Sequence, residues 1–180
     1  MTDPVTIETD RLVLRPYREA DRAAFAELNG HPDVGAWLAG VQTREQSDAM
    51  MDRINAHIGE KGYGFWAAER KADGRLIGAI GLLTMGDDLP APSALELGWR
   101  VHPDAQGTGL ATEGAAAAKA WALANLDIPE IVAITAESNV RSQNVMRKIG
   151  LRPDPSRDFD HPRLAEDHPL RRHVFWTSLP

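Results

Sequence analysis

The chain of 180 residues contains no cysteine, and this absence excludes several kinds of site at once. Disulfides, thiolate zinc sites and cysteine nucleophiles all require that residue. Basic residues are also in the minority, because 20 lysines and arginines face 26 acidic residues and the net charge is −6. A general nucleic-acid surface needs a basic face, so we expect no nucleic-acid partner.

Long apolar runs are missing as well. No segment approaches the roughly 20 apolar residues that a membrane-spanning helix needs, so we expect no membrane partner. Residues 1–10 carry acidic side chains and no apolar run, which argues against a signal peptide. The six histidines lack the spacing of a metal site, so no metal is expected. Together with the length, these absences predict one cytoplasmic domain over residues 1–180.

The excess negative charge is unevenly distributed. Residues 100–149 carry five basic and five acidic side chains, so that segment is neutral and the six excess charges lie outside it. An anionic ligand could therefore bind the centre while the flanks attract a cationic partner such as an amine. A solvated acidic surface kept for solubility explains the same charge pattern equally well.

Apolar periodicity and turn residues predict a mixed α/β (α+β) architecture. The sheet is expected to be mostly antiparallel, with helices on both faces and one parallel strand pair where a helix crosses over. A hairpin turn is expected at Asp73-Gly74, and residues 152–169 are expected to form a long loop. The predicted strands are 7–15, 65–69, 76–83, 94–101, 131–136 and 171–177, and the predicted helices are 18–29, 43–58, 110–125 and 139–149.

A glycine-rich corner, residues 106–111, separates a predicted strand from the alanine-rich predicted helix. Gly107 and Gly109 leave backbone N–H groups uncovered at the helix N-terminus, where the helix dipole favours a phosphate. A P-loop is excluded because Leu110-Ala111 follows the second glycine, and Thr112 stands where a dinucleotide fingerprint needs its third glycine. The remaining form, Gln/Arg-x-x-Gly-x-Gly/Ala, matches at every fixed position. Without a ligand, the same residues would make a tight turn before a structural helix.

That pattern resembles the acetyl-CoA pyrophosphate loop of the GNAT superfamily of N-acetyltransferases. The wider run ELGWRVHPDAQGTGLATEGA is similar to the branch that contains the ribosomal-protein N-terminal acetyltransferases. Residues 8–16 are similar to the first strand of that branch, and residues 139–142 and 146–151 to its second cofactor helix. The resemblance implies a GNAT fold, with the central sheet splayed near its middle, and acetyl-CoA as co-substrate.

The resemblance also implies which residues hold the co-substrate. The amides of residues 107–112 would hold the pyrophosphate, and the backbone of Trp99, Arg100 and Val101 would pair with pantetheine. Asn139 would contact pantetheine, cap its helix, or do both. The full expected set is Trp99, Arg100, Val101, Gln106, Gly107, Thr108, Gly109, Leu110, Ala111, Thr112, Asn139 and Ser142.

Acetyl transfer to a primary amine requires a base, because such amines are largely protonated at neutral pH. Glu96 is the candidate base, acting through water. A carboxylate inside an otherwise apolar strand costs free energy unless it has an ion-pair partner or a functional role. A structural pairing of Glu96 with an arginine is the alternative. Many relatives protonate the thiolate with a tyrosine that this chain lacks downstream of Tyr63. Ser142 is the remaining candidate, unless it is an ordinary helix residue.

The sequence alone does not identify the acceptor amine or the oligomeric state. A peptide N-terminus, a polyamine, an aminoglycoside or a small metabolite would each supply the amine, because variable loops build the acceptor wall. The late loop could form part of that wall. A CoA-binding regulatory module without turnover and an enzyme using another acyl-CoA are the alternative functions. A homodimer is one option for the assembly.

Overall fold

The structure is a computed structural model that describes residues 5–180, and the predictions made for residues 1–4 lie outside that part. Within residues 5–180 the strands are β1 Ile7–Glu8, β2 Leu12–Arg15, β3 Phe65–Arg70, β4 Leu76–Thr84, β5 Leu95–Val101, β6 Ile131–Ala136, β7 Arg152–Pro153, β8 Phe159–Asp160 and β9 Arg172–Thr177. The α-helices are α1 Arg22–Gly30, α2 Pro32–Gly35, α3 Arg44–Lys61, α4 Leu110–Asn125 and α5 Val140–Lys148.

The strands form one sheet in the order β1-β2-β3-β4-β5-β6-β9-β7, with β8 also paired to β9. β5 and β6 run parallel, and every other strand pair of the described chain is antiparallel. The parallel pair is joined through α4, the crossover helix that a parallel connection needs. The mixed, mostly antiparallel sheet predicted from the sequence is confirmed.

The sheet opens next to this parallel pair. β5 is paired with β4 along its whole length, from Gly78↔Val101 to Thr84↔Leu95. β5 and β6, by contrast, are paired only at Leu95↔Ile131 and Glu96↔Val132. From residue 97 onward β5 has no partner strand on that side within the described chain. This gap is the splay expected near the middle of the sheet.

Helices cover both faces of the sheet. α4 contacts β1, β2, β4 and β5 through small residues that are fully buried, including Ala115, Ala118 and Ala122. α1 and α3 pack on each other, and they contact β4 and β3, respectively. Side chains alternate along a strand, so Leu95, Leu97, Trp99 and Val101 share one face and pack into the core, while Glu96, Gly98 and Arg100 face the other way. No helix of residues 5–180 is long and apolar enough to cross a bilayer.

The predicted first strand, residues 7–15, is wrong because the chain reverses within it. β1 and β2 are short antiparallel strands that pair Ile7 with Leu14 and Glu8 with Val13. The Thr9 hydroxyl accepts from the Leu12 N–H at 2.9 Å, and the Arg11 N–H donates to Glu113 at 2.8 Å. The turn is therefore stabilised by a carboxylate 102 residues away, which an alternating pattern without glycine or proline does not reveal.

Other boundaries differ less. α1 begins at Arg22 rather than at residue 18, because Arg18 is extended and a 3-10 turn, Glu19–Asp21, precedes the helix. The capping box of α3 is confirmed, since the Thr43 hydroxyl accepts from the Gln46 N–H at 3.2 Å and the Thr43 N–H donates to the Gln46 side chain at 2.9 Å. The late loop contains the two-residue strands β7 and β8, and α2 is an additional short helix.

Candidate active site

The glycine corner joins the end of β5 to the first turn of α4. A 3-10 turn, Pro103–Ala105, follows β5, and Gly109 lies at the N-cap position of α4. Gly107 and Gly109 have φ values of 74° and 83°, in the left-handed region that favours glycine. A Cβ at Gly107 would meet no atom within 4 Å, so the backbone conformation rather than crowding requires glycine there.

The backbone N–H groups of residues 107–112 are available for a ligand. None of these six groups donates a hydrogen bond to a residue of the described chain. The neighbouring groups are satisfied, because the Gln106 N–H donates to Pro103 at 3.1 Å and the Glu113 N–H donates to Gly109 at 3.0 Å. Six consecutive free donors at a helix N-terminus form a site for an anion such as a pyrophosphate.

Two arginines from distant segments border the corner. Arg11 Nη1 donates to the Thr108 carbonyl at 2.9 Å, and Arg141 Nη1 donates to Gln106 Oε1 at 3.0 Å. Gln106 in turn donates to the Val101 carbonyl at 3.0 Å. These contacts place the first turn of α5 next to the corner, and Arg141 adds positive charge there, whereas the charge of Arg11 is offset by its ion pair with Glu113 at 2.6 Å. Sequence analysis missed both arginines, because they lie 97 and 35 residues from their partners.

The open edge of β5 presents backbone groups to the gap. The ladder between β4 and β5 is continued by the Met85 N–H to the Ala94 carbonyl and by the His102 N–H to the Ile77 carbonyl, both at 2.8 Å. Hydrogen-bonded positions alternate along an antiparallel strand, so Trp99 and Val101 direct their N–H and C=O groups away from β4. Both lie beyond the last pair with β6, so these backbone groups face the gap between the two strands.

Arg100 takes a different place from the one expected. The same alternation commits its backbone N–H and C=O to Ala79 of β4, so this backbone does not face the gap. Its side chain lies on the opposite face of the strand, where Nη1 donates to Asn29 Oδ1. The expectation that the Arg100 backbone pairs with pantetheine is therefore corrected, whereas Trp99 and Val101 have the required orientation.

Glu96 lies where β5 and β6 separate. It faces the same side of the sheet as Gly98 and Arg100, and its side chain is partly buried. Burial raises the pKa of this carboxyl to about 7, although the nearby charge of Arg163 opposes the shift. In the described structure Glu96 forms no ion pair, and Arg163 donates instead to Asp88 at 2.6 and 2.8 Å. The geometry therefore leaves Glu96 free to accept a proton near neutral pH.

Asn139 and Ser142 lie at the beginning of α5, just after β6. Asn139 Oδ1 accepts from the Ser142 N–H at 3.2 Å, so Asn139 caps the helix. The Ser142 hydroxyl makes no hydrogen bond to the residues that the structure describes, so it does not bond back to a helix carbonyl. Neither tyrosine reaches this place, because Tyr17 is buried against Phe25 and Tyr63 packs near His57 and Trp121.

The late loop lies against β9 and the loop that follows β4. The rings of His161 and His173 are 4.8 Å apart, and burial lowers the pKa of each. The bidentate pair between Arg163 and Asp88 ties the late loop to the β4–β5 connection on the side of Glu96. No group of three or more metal-ligating side chains occurs in residues 5–180.

The gap does not coincide with either of two surface depressions found on the described chain. Two surface depressions, of about 170 and 350 Å³, lie elsewhere, one bordered by α4 and Ile149 and the other by the chain end near Arg152. Neither touches β5 or the glycine corner.

Comparison with known proteins gives consistent matches. The family model described as an acetyltransferase (GNAT) domain matches residues 11–152. The uncharacterized N-acetyltransferase YnaD of Bacillus subtilis (strain 168) is 29% identical over 147 residues, which are 81% of this chain and 82% of that protein.

Solved structures agree with this match. The acetyltransferase from Agrobacterium tumefaciens str. C58 is similar with a TM-score of 0.78 and 25% identity, over 100% of this chain and 97% of that chain. RimJ of Mycobacterium smegmatis, solved in complex with CoA-disulfide, has the same fold, with a TM-score of 0.74 and 21% identity over 97% and 87% of the two chains. This chain therefore belongs to the GNAT acetyltransferase family and is an acyltransferase.

Proposed function

We propose that the protein is an N-acetyltransferase that moves an acetyl group from acetyl-CoA to a primary amine by direct attack in a ternary complex. The observation that carries the proposal is the row of six free backbone N–H groups at residues 107–112. The pyrophosphate of acetyl-CoA supplies acceptors for these donors, and Arg11 and Arg141 lie beside it.

The thioester would lie in the gap between β5 and β6. Pantetheine, an extended chain with amide groups, can pair with the outward N–H and C=O groups of Trp99 and with the N–H of Val101. The Val101 carbonyl is already held by Gln106. A backbone N–H of this edge then points at the acetyl carbonyl oxygen, where negative charge develops as the amine attacks. This role needs no side chain.

Glu96 would remove the proton of the amine. An α-amino group has a pKa near ~8 and a lysine near ~10.4, so the neutral form must be generated in the site. A carboxylate with a pKa of about 7 is matched to that task, directly or through one water. The nitrogen lone pair then forms the C–N bond and the C–S bond breaks. Because Glu96 already holds the proton of the ammonium form, the second proton that the nitrogen loses passes through water to the departing sulfur.

Ser142 would stabilise the departing sulfur. Its hydroxyl has no partner within residues 5–180, and it lies at the end of α5 that borders the corner through Arg141. A serine hydroxyl is a weak acid, so it donates a hydrogen bond to the thiolate while solvent supplies the final proton. Loss of Ser142 is therefore expected to slow the reaction modestly.

Thiol release from acetyl-CoA over a panel of amines tests this proposal, with mass spectrometry of the acetylated product. We expect release that depends on both substrates, and initial rates that show a ternary complex rather than an acetylated enzyme. Tight CoA binding without release on any amine would support a regulatory module instead. If thiol is released from a longer acyl-CoA but not from acetyl-CoA, the donor is that longer acyl-CoA and not acetyl-CoA.

A further inference from the structure

Arg100 is a partly buried cation without a carboxylate partner. Burial lowers the pKa of its guanidinium, which is the opposite of what an ion pair would do. Within residues 5–180 it forms no salt bridge, and its Nε–H is buried without an acceptor. A desolvated charge of this kind destabilises the fold unless a ligand or a solvent molecule supplies the missing acceptor.

The free edge of this guanidinium is the one that binds carboxylates. Nη1 is engaged with Asn29 and lies near Met50, whereas Nε and Nη2 donate to no described residue. Nε and Nη2 carry parallel N–H bonds that match the two oxygens of a carboxylate. Arg70 and Arg163 of this chain use that same edge to hold Asp73 and Asp88 in bidentate pairs.

Neighbouring side chains hold Arg100 in one orientation. Asn29, which accepts from Nη1, is only 1% exposed and itself donates to the Ser47 hydroxyl at 2.8 Å. The buried Tyr17 hydroxyl, also without a partner, lies close enough for the Arg100 charge to act on it. A guanidinium that is fixed before a ligand arrives loses little entropy on binding.

Arg100 also lies on the acceptor side of the reaction centre. Glu96, Gly98 and Arg100 share one face of β5, and four residues of a strand span about 13 Å. Gly98 contributes no side chain between the two charged groups, and the buried Phe65 ring fills that space, 3.2 Å from where a Cβ of Gly98 would lie. A substrate that reaches from Glu96 to the free edge of Arg100 therefore has to pass over the Phe65 ring.

We propose that Arg100 binds a carboxylate of the acceptor, so that the preferred substrates are amines that carry an acid group at a distance from the nitrogen. This inference rests on the proposed acetyl transfer and names the substrate class of that site. A short peptide with a free C-terminus, or one with an internal acidic side chain, has this chemistry. A polyamine or an aminoglycoside lacks it.

Matched acceptors test the inference. Peptides of two to five residues are offered as free C-terminal acids and as carboxamides, and kcat/KM is measured for each pair. At the best length we expect the acid to be preferred about 10- to 100-fold, the range of a charge-assisted hydrogen-bonded pair. Arg100→Met should bring the ratio of acid to amide to about one, and Arg100→Lys should leave an intermediate ratio. The control Arg75→Met, at an exposed arginine, should keep the parent ratio.

Each other outcome counts against one claim. An acid-to-amide ratio near one in the parent at every length, or a ratio that survives Arg100→Met, overturns the role of Arg100 and leaves acetyl transfer intact. If no amine is acetylated although acetyl-CoA binds, the proposed function fails. Thermal unfolding of the CoA-bound protein then tests the carboxylate site at Arg100 on its own. A rise in melting temperature with acid peptides but not with carboxamides, lost in Arg100→Met, supports this site. Equal rises with acids and carboxamides refute it.

Discussion

Two clusters of polar groups in this molecule are satisfied to very different degrees. Next to the start of α1, Arg15 is 5% exposed and donates to Asp21 at 2.7 and 3.0 Å and to Glu69 at 2.7 and 2.9 Å. We call these three side chains the paired network. Beside the splayed strands, the Glu96 carboxylate, the Arg100 Nε–H and the amides of residues 107–112 lack such partners. We call these groups the open set.

We attribute the difference to two roles: the paired network holds the fold, and the open set is proposed to act on substrates. A buried ion pair with additional hydrogen bonds has its desolvation offset within the protein, and removal of one partner destabilises strongly. Polar groups without hydrogen-bond partners lower the stability of the fold, and they are typical of sites where a bound ligand supplies the missing partners. Substitutions in the paired network should therefore affect stability, and substitutions in the open set should affect binding or turnover.

The largest expected effect is on stability, from Arg15→Met in the paired network. The substitution leaves Asp21 and Glu69 without their cation, and about 3–5 kcal/mol of unfolding free energy should be lost. Urea unfolding measures this, with Arg75→Met as the exposed control. The pKa of Asp21 is lowered in the fold, so the contribution is present above the unfolded pKa and is lost as the pH falls through the folded value. A loss below 1 kcal/mol would contradict the comparison.

Binding is the next effect, through Gly109→Trp at the corner. The indole would cover the free amides, and the left-handed φ of 83° adds strain to the backbone. Acetyl-CoA at 100 times its Kd should stabilise the parent by about 2.7 kcal/mol, and the variant should lose this stabilisation.

Gly74→Trp is the matched control for the corner. Gly74 also has a left-handed φ, of 69°, and lies in the exposed hairpin turn between β3 and β4. Its replacement should lower stability by a similar amount and keep the response to acetyl-CoA. Equal responses of the two variants would show that the corner does not hold the ligand.

Turnover should depend on Glu96 of the open set. Glu96→Gln removes the base and should lower kcat/KM at pH 7 about 100-fold. In the parent, kcat/KM should rise as the pH increases through about 7, where the carboxyl ionises. The variant should lose this inflection and regain activity at higher pH, where more of the amine is already neutral. A profile in which parent and variant coincide would remove Glu96 from the mechanism.

The same variant should be more stable than the parent at alkaline pH. The folded pKa of Glu96 is raised above its unfolded value, so folding is favoured at low pH and this advantage is lost as the pH rises between about 4.5 and 7. After allowance for partial exposure, Glu96→Gln should gain about 2 kcal/mol relative to the parent at pH 8. Thermal unfolding at pH 5 and pH 8 measures the difference, and a loss of stability at pH 8 would place Glu96 among the structural groups.

Ser142→Ala should have the smallest effect. One hydrogen bond to the departing sulfur corresponds to roughly threefold to tenfold in kcat, with little change in the affinity for acetyl-CoA. Steady-state kinetics at saturating acetyl-CoA measure it. A loss beyond about 100-fold would make Ser142 an essential acid, and an unchanged kcat would leave it an ordinary helix residue.

Local patterns in the sequence were sufficient for most of the fold. The capping box at Thr43 and the Asp73-Gly74 turn each act over a few residues, and both occur as predicted. The reversal at Thr9 was missed because its stabilising partner, Glu113, is distant in the chain. A strand pattern shows which residues alternate, but it does not show where the chain turns back.

The candidate site could be predicted only in part, for a similar reason. The glycine corner is local, so its residues could be named from their spacing. The orientation of the Arg100 backbone depends on the hydrogen-bond phase with β4, and the free edge of its side chain depends on Asn29. Arg11 and Arg141 reach the corner only through tertiary contacts. These features depend on tertiary contacts that decide which polar groups remain without a hydrogen-bond partner, and a sequence pattern does not show those contacts.

The central claim is that the free amides of residues 107–112 bind the pyrophosphate of acetyl-CoA. Backbone amide NMR during a titration with CoA tests it most directly, because each N–H reports its own hydrogen bond. We expect the largest downfield proton shifts at these six residues, and small shifts for the amides of the paired network. Saturable CoA binding that leaves the six resonances unmoved would contradict the account.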